Sequence, residues 1–156
     1  FQLCSESLQQ WLVRNPTHRC LERMKEWLKQ LVEAVDYIHS KNKMHRDLKP
    51  SNILLLDEDQ LKICDLGAAG EIGYVNGEEV SKTYTIIGTA LYTSPEQKFW
   101  RYRSKVDVFT LGLIFAELCV PMNEDERAKA EFISWLTQTD QSKRPTCEEI
   151  LNSSFL

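Results

Sequence analysis

The chain has 156 residues, of which 42% are hydrophobic, and its 19 Lys and Arg against 23 Asp and Glu give a formal net charge of -4. This length suits one domain with a substantial core, and this hydrophobic content excludes a disordered chain. The mildly acidic balance argues against nucleic acid as a partner and gives no bulk attraction to anionic membranes. The sequence shows no signal-peptide pattern and no apolar run near the ~20 residues that span a bilayer.

Five widely separated cysteines form no C-x-x-C pair and no zinc-ligand spacing. They are Cys4, Cys20, Cys64, Cys119 and Cys147. Such a set is typical of reduced thiols, so we expect a cytoplasmic protein, or one on the cytoplasmic face of a membrane if a parent chain is anchored. The first residue is Phe1 rather than Met, which favours a piece of a longer polypeptide.

The first part of the chain predicts two helices. A short helix over residues 8–12 follows a cap at Ser5 or Ser7, and Asn15-Pro16 ends it. A long helix is predicted from Leu21 to Ser40, because its apolar residues recur at steps of three and four and so share one face. These apolar residues are Leu21, Met24, Leu28, Leu31, Val35 and Ile38.

A β-hairpin is predicted after the long helix. Residues 53–56 and 60–64 are short apolar or alternating runs, and the acidic residues 57–59 provide the turn between them. The second strand would end directly before Asp65. From Gly70 to Ile87 we predict one long loop.

The second half of the chain is predicted to be helical. A strongly apolar helix covers about 105–119 and ends before Pro121. Another helix covers 131–137, and a last one opens at a capping box formed by Thr146 and Glu149. In the 105–119 helix we expect five buried side chains, which are Val106, Phe109, Leu113, Ile114 and Leu118. The predicted fold class is therefore mainly α with a small β-hairpin.

Residues 45–52 carry the main chemical motif, which reads His-Arg-Asp-Leu-Lys-Pro-Ser-Asn. The carboxylate of Asp47 could accept the proton of a hydroxyl group. Lys49, two residues further along an extended loop, would point the same way and could contact a phosphate. This pair favours phosphoryl transfer, which needs alignment and charge neutralisation more than covalent chemistry from the protein.

A second motif, Asp65-Leu66-Gly67, lies thirteen positions after Asn52. Asn52 and Asp65 offer the hard oxygen ligands that Mg²⁺ requires. Gly67 is expected to let the backbone turn directly after the metal ligand. A polar loop that spells this pattern by chance is the alternative, but the number of specified positions and their spacing make chance a poor explanation.

The two motifs resemble the catalytic core of eukaryotic protein kinases, and the resemblance extends over nearly the whole chain. It implies that residues 1–156 are the large, C-terminal lobe of that fold, with the small lobe absent. In this reading residues 1–4 end the hinge, 45–52 form the catalytic loop and 65–96 form the activation segment. The implied cofactors are ATP and Mg²⁺. The residues implied to contact adenine are Gln2, Leu3, Cys4 and Leu54, the last as the floor of the pocket.

The resemblance also implies supporting roles. His45 would stabilise the backbone of the catalytic loop, and Arg46 would pair with a phosphorylated residue of the activation loop. The candidate phosphoacceptors in that loop are Ser81, Thr83, Tyr84 and Thr85.

Residues 88–96 resemble the segment that closes a kinase activation loop. Thr89 would form a hydrogen bond near the catalytic carboxylate, and Glu96 would form a bidentate ion pair with Arg144. Asp107 has two open readings, either a simple cap at a helix start or a support that holds the backbone of the catalytic loop.

Three stretches, 44–53, 92–97 and 106–114, are similar to the kinases that phosphorylate the α subunit of eukaryotic translation initiation factor 2. Residues 2–4 are similar to the hinge of the endoplasmic-reticulum stress member. The implied function is serine/threonine phosphorylation in translation control, with that α subunit as candidate substrate. The other implied partners are the small lobe of the parent chain and a second copy of the parent.

The sequence departs from the kinase pattern in three places. It contains no Gly-rich phosphate loop and no strand with the ATP-binding Lys. Leu66 stands where Phe is usual, and the link from Pro121 to Phe132 is too short for the helix that docks the initiation factor in these relatives. These departures leave an alternative, a catalytically impaired binding or regulatory module, which a titration with Mg·ATP would distinguish. We expect the isolated chain to be nearly inactive, because a half-covered nucleotide remains hydrated.

Overall fold

The computed structural model of the chain describes residues 6–17, 19–57, 59–81, 88–99 and 102–156. Within these ranges the chain forms five α-helices and two small antiparallel sheets, and none of the helices is long and apolar enough to cross a membrane. The helices are α1 (Leu8–Arg14), α2 (Leu21–Ser40), α3 (Lys105–Cys119), α4 (Glu126–Leu136) and α5 (Cys147–Leu151). The strands are β1 (Glu6–Ser7), β2 (Lys43–Met44), β3 (Ile53–Leu55), β4 (Leu61–Ile63), β5 (Gly70–Val75) and β6 (Glu78–Ser81).

The two helices predicted in the first part of the chain are confirmed. The Ser7 hydroxyl accepts from the Gln10 N–H at 3.2 Å, and the Gln10 side chain accepts from the Ser7 N–H at 2.8 Å. This reciprocal pair satisfies two of the N–H groups that lack partners at a helix start. The boundaries of α2 are those predicted, and its apolar face is buried at every predicted position except Ile38, which is half-buried.

The predicted hairpin is also present. β3 pairs with β4 in an antiparallel register that sets Ile53 opposite Ile63, and β1 adds a third strand on the other edge of β3. The turn is fixed by Asp57, whose carboxylate accepts from the backbone N–H groups of Asp59 and Gln60, each at 2.9 Å. The hairpin brings residues 52 and 64 opposite each other, just outside the paired strands.

The predicted long loop over 70–87 is wrong for residues 70–81. β5 and β6 form a second hairpin there, and β2 pairs with the start of β5 to complete a second three-stranded sheet. The hairpin turns at Asn76 and Gly77, whose φ angles of 53° and 80° are the left-handed values that a two-residue turn between strands demands. An Asn-Gly pair is the strongest local signal for such a turn, and it outweighs the polar character of the flanking residues.

Helix α3 has the predicted boundaries, but its burial pattern differs from the prediction. Val106, Ile114 and Leu118 are buried, whereas Phe109 and Leu113 are only half-buried. Apolar residues surround this helix on nearly every side, so the sequence pattern cannot tell which side faces the core.

Helix α4 begins at Glu126, five residues before its predicted start, and the link from α3 is residues 120–125. No separate helix lies in this link, which belongs entirely to the described part of the chain. A Cβ atom on Gly112 would lie 2.7 Å from the Thr137 Cγ2 and 2.9 Å from the Leu136 Cβ. The absence of a side chain at position 112 is thus what allows the end of α4 to approach α3 so closely.

The main core lies between α2, α3, α4 and α5, where Trp27 and Phe115 are fully buried. A smaller cluster lies beside the second sheet, and its members are Met44, Ile72, Tyr102 and Val106. The 45–52 loop runs between these two clusters, with Leu48 buried in the main core. The polar residues of the loop are therefore carried by a backbone that is packed on both sides.

Candidate active site

The start of the 45–52 loop is held by a buried carboxylate from α3. Asp107 is 1% exposed. Its Oδ2 accepts from the His45 N–H and its Oδ1 accepts from the Arg46 N–H, each at 2.8 Å. The Nε2 of His39, at the end of α2, lies 2.8 Å from the same Oδ2. Of the two readings of Asp107, the structure shows the support of the loop backbone.

The surroundings of Asp107 favour its charged form. Burial alone would raise the pKa of this carboxyl group, but the hydrogen bond and charge of His39 and the two backbone N–H donors lower it, and the net pKa is below the ordinary value. Hydrogen bonds to a charged acceptor are shorter and stronger than those to a neutral one. The loop is therefore attached to α3 by strong bonds.

Asp47, Lys49 and Thr89 form a compact polar group. The Lys49 Nζ lies 3.1 Å from the Asp47 Oδ2 and donates to the Thr89 Oγ1 at 2.9 Å. The Thr89 hydroxyl donates in turn to the Asp47 Oδ1 at 2.9 Å. The side chains of Asp47 and Lys49 are 16% and 27% exposed, so both are mostly enclosed yet reachable from solvent. The predicted hydrogen bond of Thr89 near Asp47 is thus direct, and it also involves the lysine.

The peptide groups of Cys64 join the two motifs. The Cys64 N–H donates to the Asn52 carbonyl oxygen at 2.9 Å, and the Cys64 carbonyl oxygen lies 3.0 Å from the His45 Nε2. Asp65 follows directly, so its position relative to the 45–52 loop is fixed by hydrogen bonds on both sides of the preceding residue. Asn52 adds a third bond, from its Nδ2 to the Asp47 carbonyl oxygen at 3.0 Å.

Asn52 and Asp65 have the chemistry of a magnesium site. Because the Asn52 Nδ2 donates to Asp47, its Oδ1 is the atom left for a cation. The Asp65 Oδ1 accepts from the Gly67 N–H at 3.2 Å, and the residue is exposed. Among the residues that the structure describes, no hydrogen bond to its second oxygen is present, so this oxygen is available for a cation. The described ranges contain no cluster of three or more His, Cys, Asp and Glu that could hold a metal alone. Two hard oxygen ligands completed by phosphate and water are the usual environment of Mg²⁺, so these residues fit that ion.

His45 is fully buried and bridges the loop to Cys64. The Asp47 N–H points at its Nδ1, 3.3 Å away, so this nitrogen acts as an acceptor. The proton is then on Nε2, where it is donated to the Cys64 carbonyl oxygen. This arrangement orders the backbone of the loop, in line with the supporting role expected for His45.

Glu96 and Arg144 form the predicted bidentate ion pair. The Arg144 Nη1 and Nη2 donate to the two Glu96 oxygens at 2.5 and 2.8 Å, and the arginine side chain is fully buried. The guanidinium also lies 4.7 Å from the centre of the Phe109 ring. The Arg144 Nε donates to the Gln138 carbonyl oxygen at 2.6 Å. The pair therefore fixes the 88–99 segment to both α3 and the residues that follow α4.

Gly67 was expected to let the backbone turn after Asp65, and the backbone geometry corrects this expectation. The left-handed residue is Asp65, with φ 59°, whereas Gly67 does not have a positive φ. A Cβ at position 67 would lie 3.1 Å from the Asp65 Oδ1, so the glycine provides space beside the carboxylate. A non-glycine residue in the left-handed region is strained, and such strain is found most often at functional sites. Leu66 between them is 57% exposed.

Several predicted site residues lie outside the described ranges. They are Gln2, Leu3 and Cys4 of the expected adenine contact and the candidate phosphoacceptors Thr83, Tyr84 and Thr85. Leu54 is described: it is half-buried in the middle strand of the first sheet, between Ser7 and Lys62. Its role in an adenine pocket stays a prediction.

The sequence did not reveal the supporting roles of four further residues. His39 holds Asp107, and Gln97 donates from its Nε2 to the Arg46 carbonyl oxygen at 3.1 Å. Tyr92 accepts from the Thr110 hydroxyl at its carbonyl oxygen and donates from its own hydroxyl to Glu117. Tyr102 accepts from Arg46. Their partners are distant in sequence, so no local pattern marks them.

The fold and the site resemble those of the protein kinase family. The protein kinase domain family matches residues 1–124, and the chain belongs to this family.

Among the curated relatives are protein kinases, two of which are named for the α subunit of initiation factor 2. The chain is 33% identical to the eukaryotic translation initiation factor 2-alpha kinase pek-1 of Caenorhabditis elegans, over 99% of this chain and 18% of that protein. It is 45% identical to the interferon-induced, double-stranded RNA-activated protein kinase of Rattus norvegicus, over 83% of this chain and 25% of that protein. It is 30% identical to the eIF-2-alpha kinase GCN2 of Homo sapiens, over 99% of this chain and 12% of that protein. The chain thus spans a quarter or less of the length of these relatives.

Proposed function

We propose that this chain is the catalytic, C-terminal lobe of a serine/threonine protein kinase that transfers the γ-phosphate of ATP to a protein hydroxyl group. In this proposal residues 45–52 are the catalytic loop and residues 65–96 the activation segment. The proposal is supported by the family membership and by the four chemistry-bearing side chains on two segments joined at Cys64.

The observation that carries the proposal is the position of the Thr89 hydroxyl. It donates to the Asp47 carboxylate at 2.9 Å and receives a hydrogen bond from the Lys49 ammonium at 2.9 Å. A hydroxyl can therefore point its proton at Asp47 while its oxygen faces a cation. These are the two requirements of a substrate hydroxyl that attacks a phosphate, since it must lose a proton and its surroundings must tolerate growing negative charge.

Each residue then has a defined task. Asp47 would orient the attacking hydroxyl and accept its proton, and Lys49 would offset the charge of the transferred group. Asn52 and Asp65 would hold Mg²⁺ through the oxygens left open by their other hydrogen bonds. The bound ion would neutralise phosphate charge and align the triphosphate. Asp107 and His45 would keep the loop backbone in place.

The candidate substrate is the α subunit of translation initiation factor 2, as named for the relatives. The link at 120–125 and α4 provide no separate helix of the kind expected for docking that factor. We therefore propose that recognition depends on other surfaces of the kinase.

The test is phosphate transfer by the natural polypeptide that contains this chain. The wild type should phosphorylate the α subunit of initiation factor 2 on a serine or threonine with Mg·ATP, and Asp47→Asn should lower kcat by at least about 10³-fold. Asp59→Asn is a matched control, because the Asp59 side chain is 84% exposed and lies outside the proposed machinery.

Equal activity of wild type and Asp47→Asn would overturn the catalytic assignment. Nucleotide-independent binding of the factor, without transfer, would favour the alternative of a binding module. Phosphate transfer to serine or threonine of other proteins, but not of the factor, would refute the proposed substrate and leave the proposed kinase activity standing.

A further inference from the structure

The peptide group before Asp47 is held at both ends by side chains. Its carbonyl oxygen belongs to Arg46 and accepts from the Gln97 Nε2 at 3.1 Å. Its N–H belongs to Asp47 and points at the His45 Nδ1, 3.3 Å away. A peptide group is planar, so contacts at its two ends fix the orientation of the whole plane. The peptide group after Asp47 is also held, because its carbonyl oxygen accepts from the Asn52 Nδ2 at 3.0 Å.

Gln97 differs from His45 and Asn52 because it lies outside the 45–52 loop, in the single 3₁₀ turn Pro95–Lys98. Its Oε1 accepts from the Ser94 N–H at 3.0 Å and from the Ser94 hydroxyl at 3.1 Å. These donors identify the other end of the amide as the NH₂ group that faces the loop. Ser94 is fully buried and Gln97 is 2% exposed. The Gln97 amide thus connects a buried turn to the backbone beside the proposed proton acceptor.

The bond between Gln97 and Arg46 lies in a crowded place. A Cβ atom on Gly88 would lie 3.3 Å from the Arg46 carbonyl oxygen and 3.6 Å from the Gln97 Nε2. Arg46 is 5% exposed. A water molecule that took over the bond would need space and further polar partners. The Arg46 carbonyl oxygen therefore depends on the donor that the Gln97 side chain supplies.

Position 97 requires a side chain that accepts at one atom and donates at another. An amide does both, whereas an ionised carboxylate of the same shape only accepts. Gln97→Glu would keep the bonds from Ser94 but would set a carboxylate oxygen against the Arg46 carbonyl oxygen. The substitution therefore removes the contact with the loop and leaves the contact within the turn.

We infer that Gln97 is a positioning residue, which fixes the backbone at Asp47 and thereby the direction of the Asp47 carboxylate. The inference rests on the proposed kinase function. Thr89, which donates to that carboxylate at 2.9 Å, belongs to the same 88–99 segment as Gln97. The segment thus contacts Asp47 twice, once at the carboxylate and once through the preceding peptide group. A proton acceptor held at both places keeps the alignment that phosphoryl transfer requires.

The activity test uses the natural polypeptide that contains this chain, with the same phosphorylation state in all variants, as checked by mass spectrometry. At pH 8, Gln97→Glu should lower kcat by roughly 10- to 100-fold, because small displacements of a catalytic group are costly. The KM for Mg·ATP should stay within about twofold, since the lost contact acts on the chemical step.

Gln138→Glu is the matched control. The Gln138 Nε2 also donates to a backbone carbonyl oxygen, that of Ser134 at 2.9 Å, but this bond lies at the end of α4. The control should keep the kcat of the wild type. Equal kcat values for Gln97→Glu and Gln138→Glu would overturn the inference.

A pH profile separates positioning from a general loss of folded protein. A buried carboxyl group keeps its proton to a higher pH than an exposed one, and the protonated form can donate to the Arg46 carbonyl oxygen. The ratio of the wild-type kcat to the Gln97→Glu kcat should therefore fall about threefold or more from pH 8 to pH 6. Every other titratable group is common to the two proteins, so the ratio reports on position 97. A ratio that stays constant over this range would overturn the inference.

Hydrogen–deuterium exchange gives a readout that does not depend on catalysis. At pH 8, the backbone amide of Asp47 should exchange about tenfold faster in Gln97→Glu than in the wild type and Gln138→Glu. Equal exchange in the three proteins would show that Gln97 does not hold the peptide group. If the wild type transfers no phosphate at all, the proposed function fails, and the exchange rates still decide whether Gln97 holds the loop.

Discussion

Replacing Asp107 by Asn tests how the 45–52 loop is attached to α3. The carboxylate receives three donors, the N–H groups of His45 and Arg46 and the Nε2 of His39, and it is 1% exposed. An asparagine of the same shape has one oxygen and one NH₂ group. Whichever way the amide is turned, its NH₂ faces a backbone N–H, and at least one buried donor loses its acceptor.

The expected loss of stability follows from these contacts. A buried donor without a partner costs about 1–3 kcal/mol, and a hydrogen bond to a charged group contributes about 1.5–3 kcal/mol. Breaking a buried ionic contact by changing one partner typically destabilises by about 3–5 kcal/mol, so we expect a loss near 3 kcal/mol for Asp107→Asn. Urea unfolding followed by circular dichroism would measure it. Asp140→Asn is the control, because Asp140 also accepts from a backbone N–H, that of Ser142, but is exposed to solvent. A loss below about 1 kcal/mol would refute the reasoning.

The same carboxylate predicts a pH dependence. The pKa of Asp107 is lower in the folded protein than its ordinary value of 3.8. Its contribution to stability is therefore fully present above that ordinary value and is lost as the pH falls through the lower, folded pKa. The wild type should show this loss in acid, and Asp107→Asn should not. Parallel acid profiles for the two proteins would contradict the assignment.

Three further predictions follow from single contacts. Arg144→Lys should lower the free energy of unfolding by about 2–3 kcal/mol, since an ammonium cannot make both bonds to Glu96. Urea unfolding would measure this loss, and an unchanged midpoint urea concentration would contradict the prediction. Gly112→Ala should destabilise it by about 1–3 kcal/mol, because the added Cβ would lie 2.7 Å from the Thr137 Cγ2; a stabilised variant would show that α4 shifts freely. Burial raises the pKa of the Cys147 thiol to about 12, so iodoacetamide at pH 8 should alkylate the exposed Cys20 first and reach Cys147 only after unfolding, as peptide mapping would show.

Local signals in the sequence predicted much of the fold. α2 has its predicted boundaries because a twenty-residue amphipathic repeat leaves little freedom in where it starts and which side is buried. α5 opens at the predicted capping box, in which Thr146 and Glu149 bond each other's backbone. The second hairpin was missed because polar strand residues around Asn76-Gly77 hide a strong turn signal.

The same contrast holds for the candidate site, where local sequence shows the residue types but not the long-range contacts. The types and spacing of Asp47, Lys49, Asn52 and Asp65 are visible in the sequence because the proposed phosphoryl transfer requires those side chains. The roles of Gln97 and Tyr102 are not visible, because each depends on a contact with Arg46 more than fifty residues away. The reason for Gly67 was wrong, since nothing in the sequence tells which residue of the motif is left-handed.

The two backbone hydrogen bonds of Cys64 have a consequence for which substitutions position 64 can accept. Both of its bonds between the two motifs use the peptide group, an N–H on one side and a C=O on the other, and every amino acid except proline carries both. The two hydrogen bonds therefore do not require a particular side chain at position 64. Proline at this position would remove the N–H that donates to the Asn52 carbonyl oxygen.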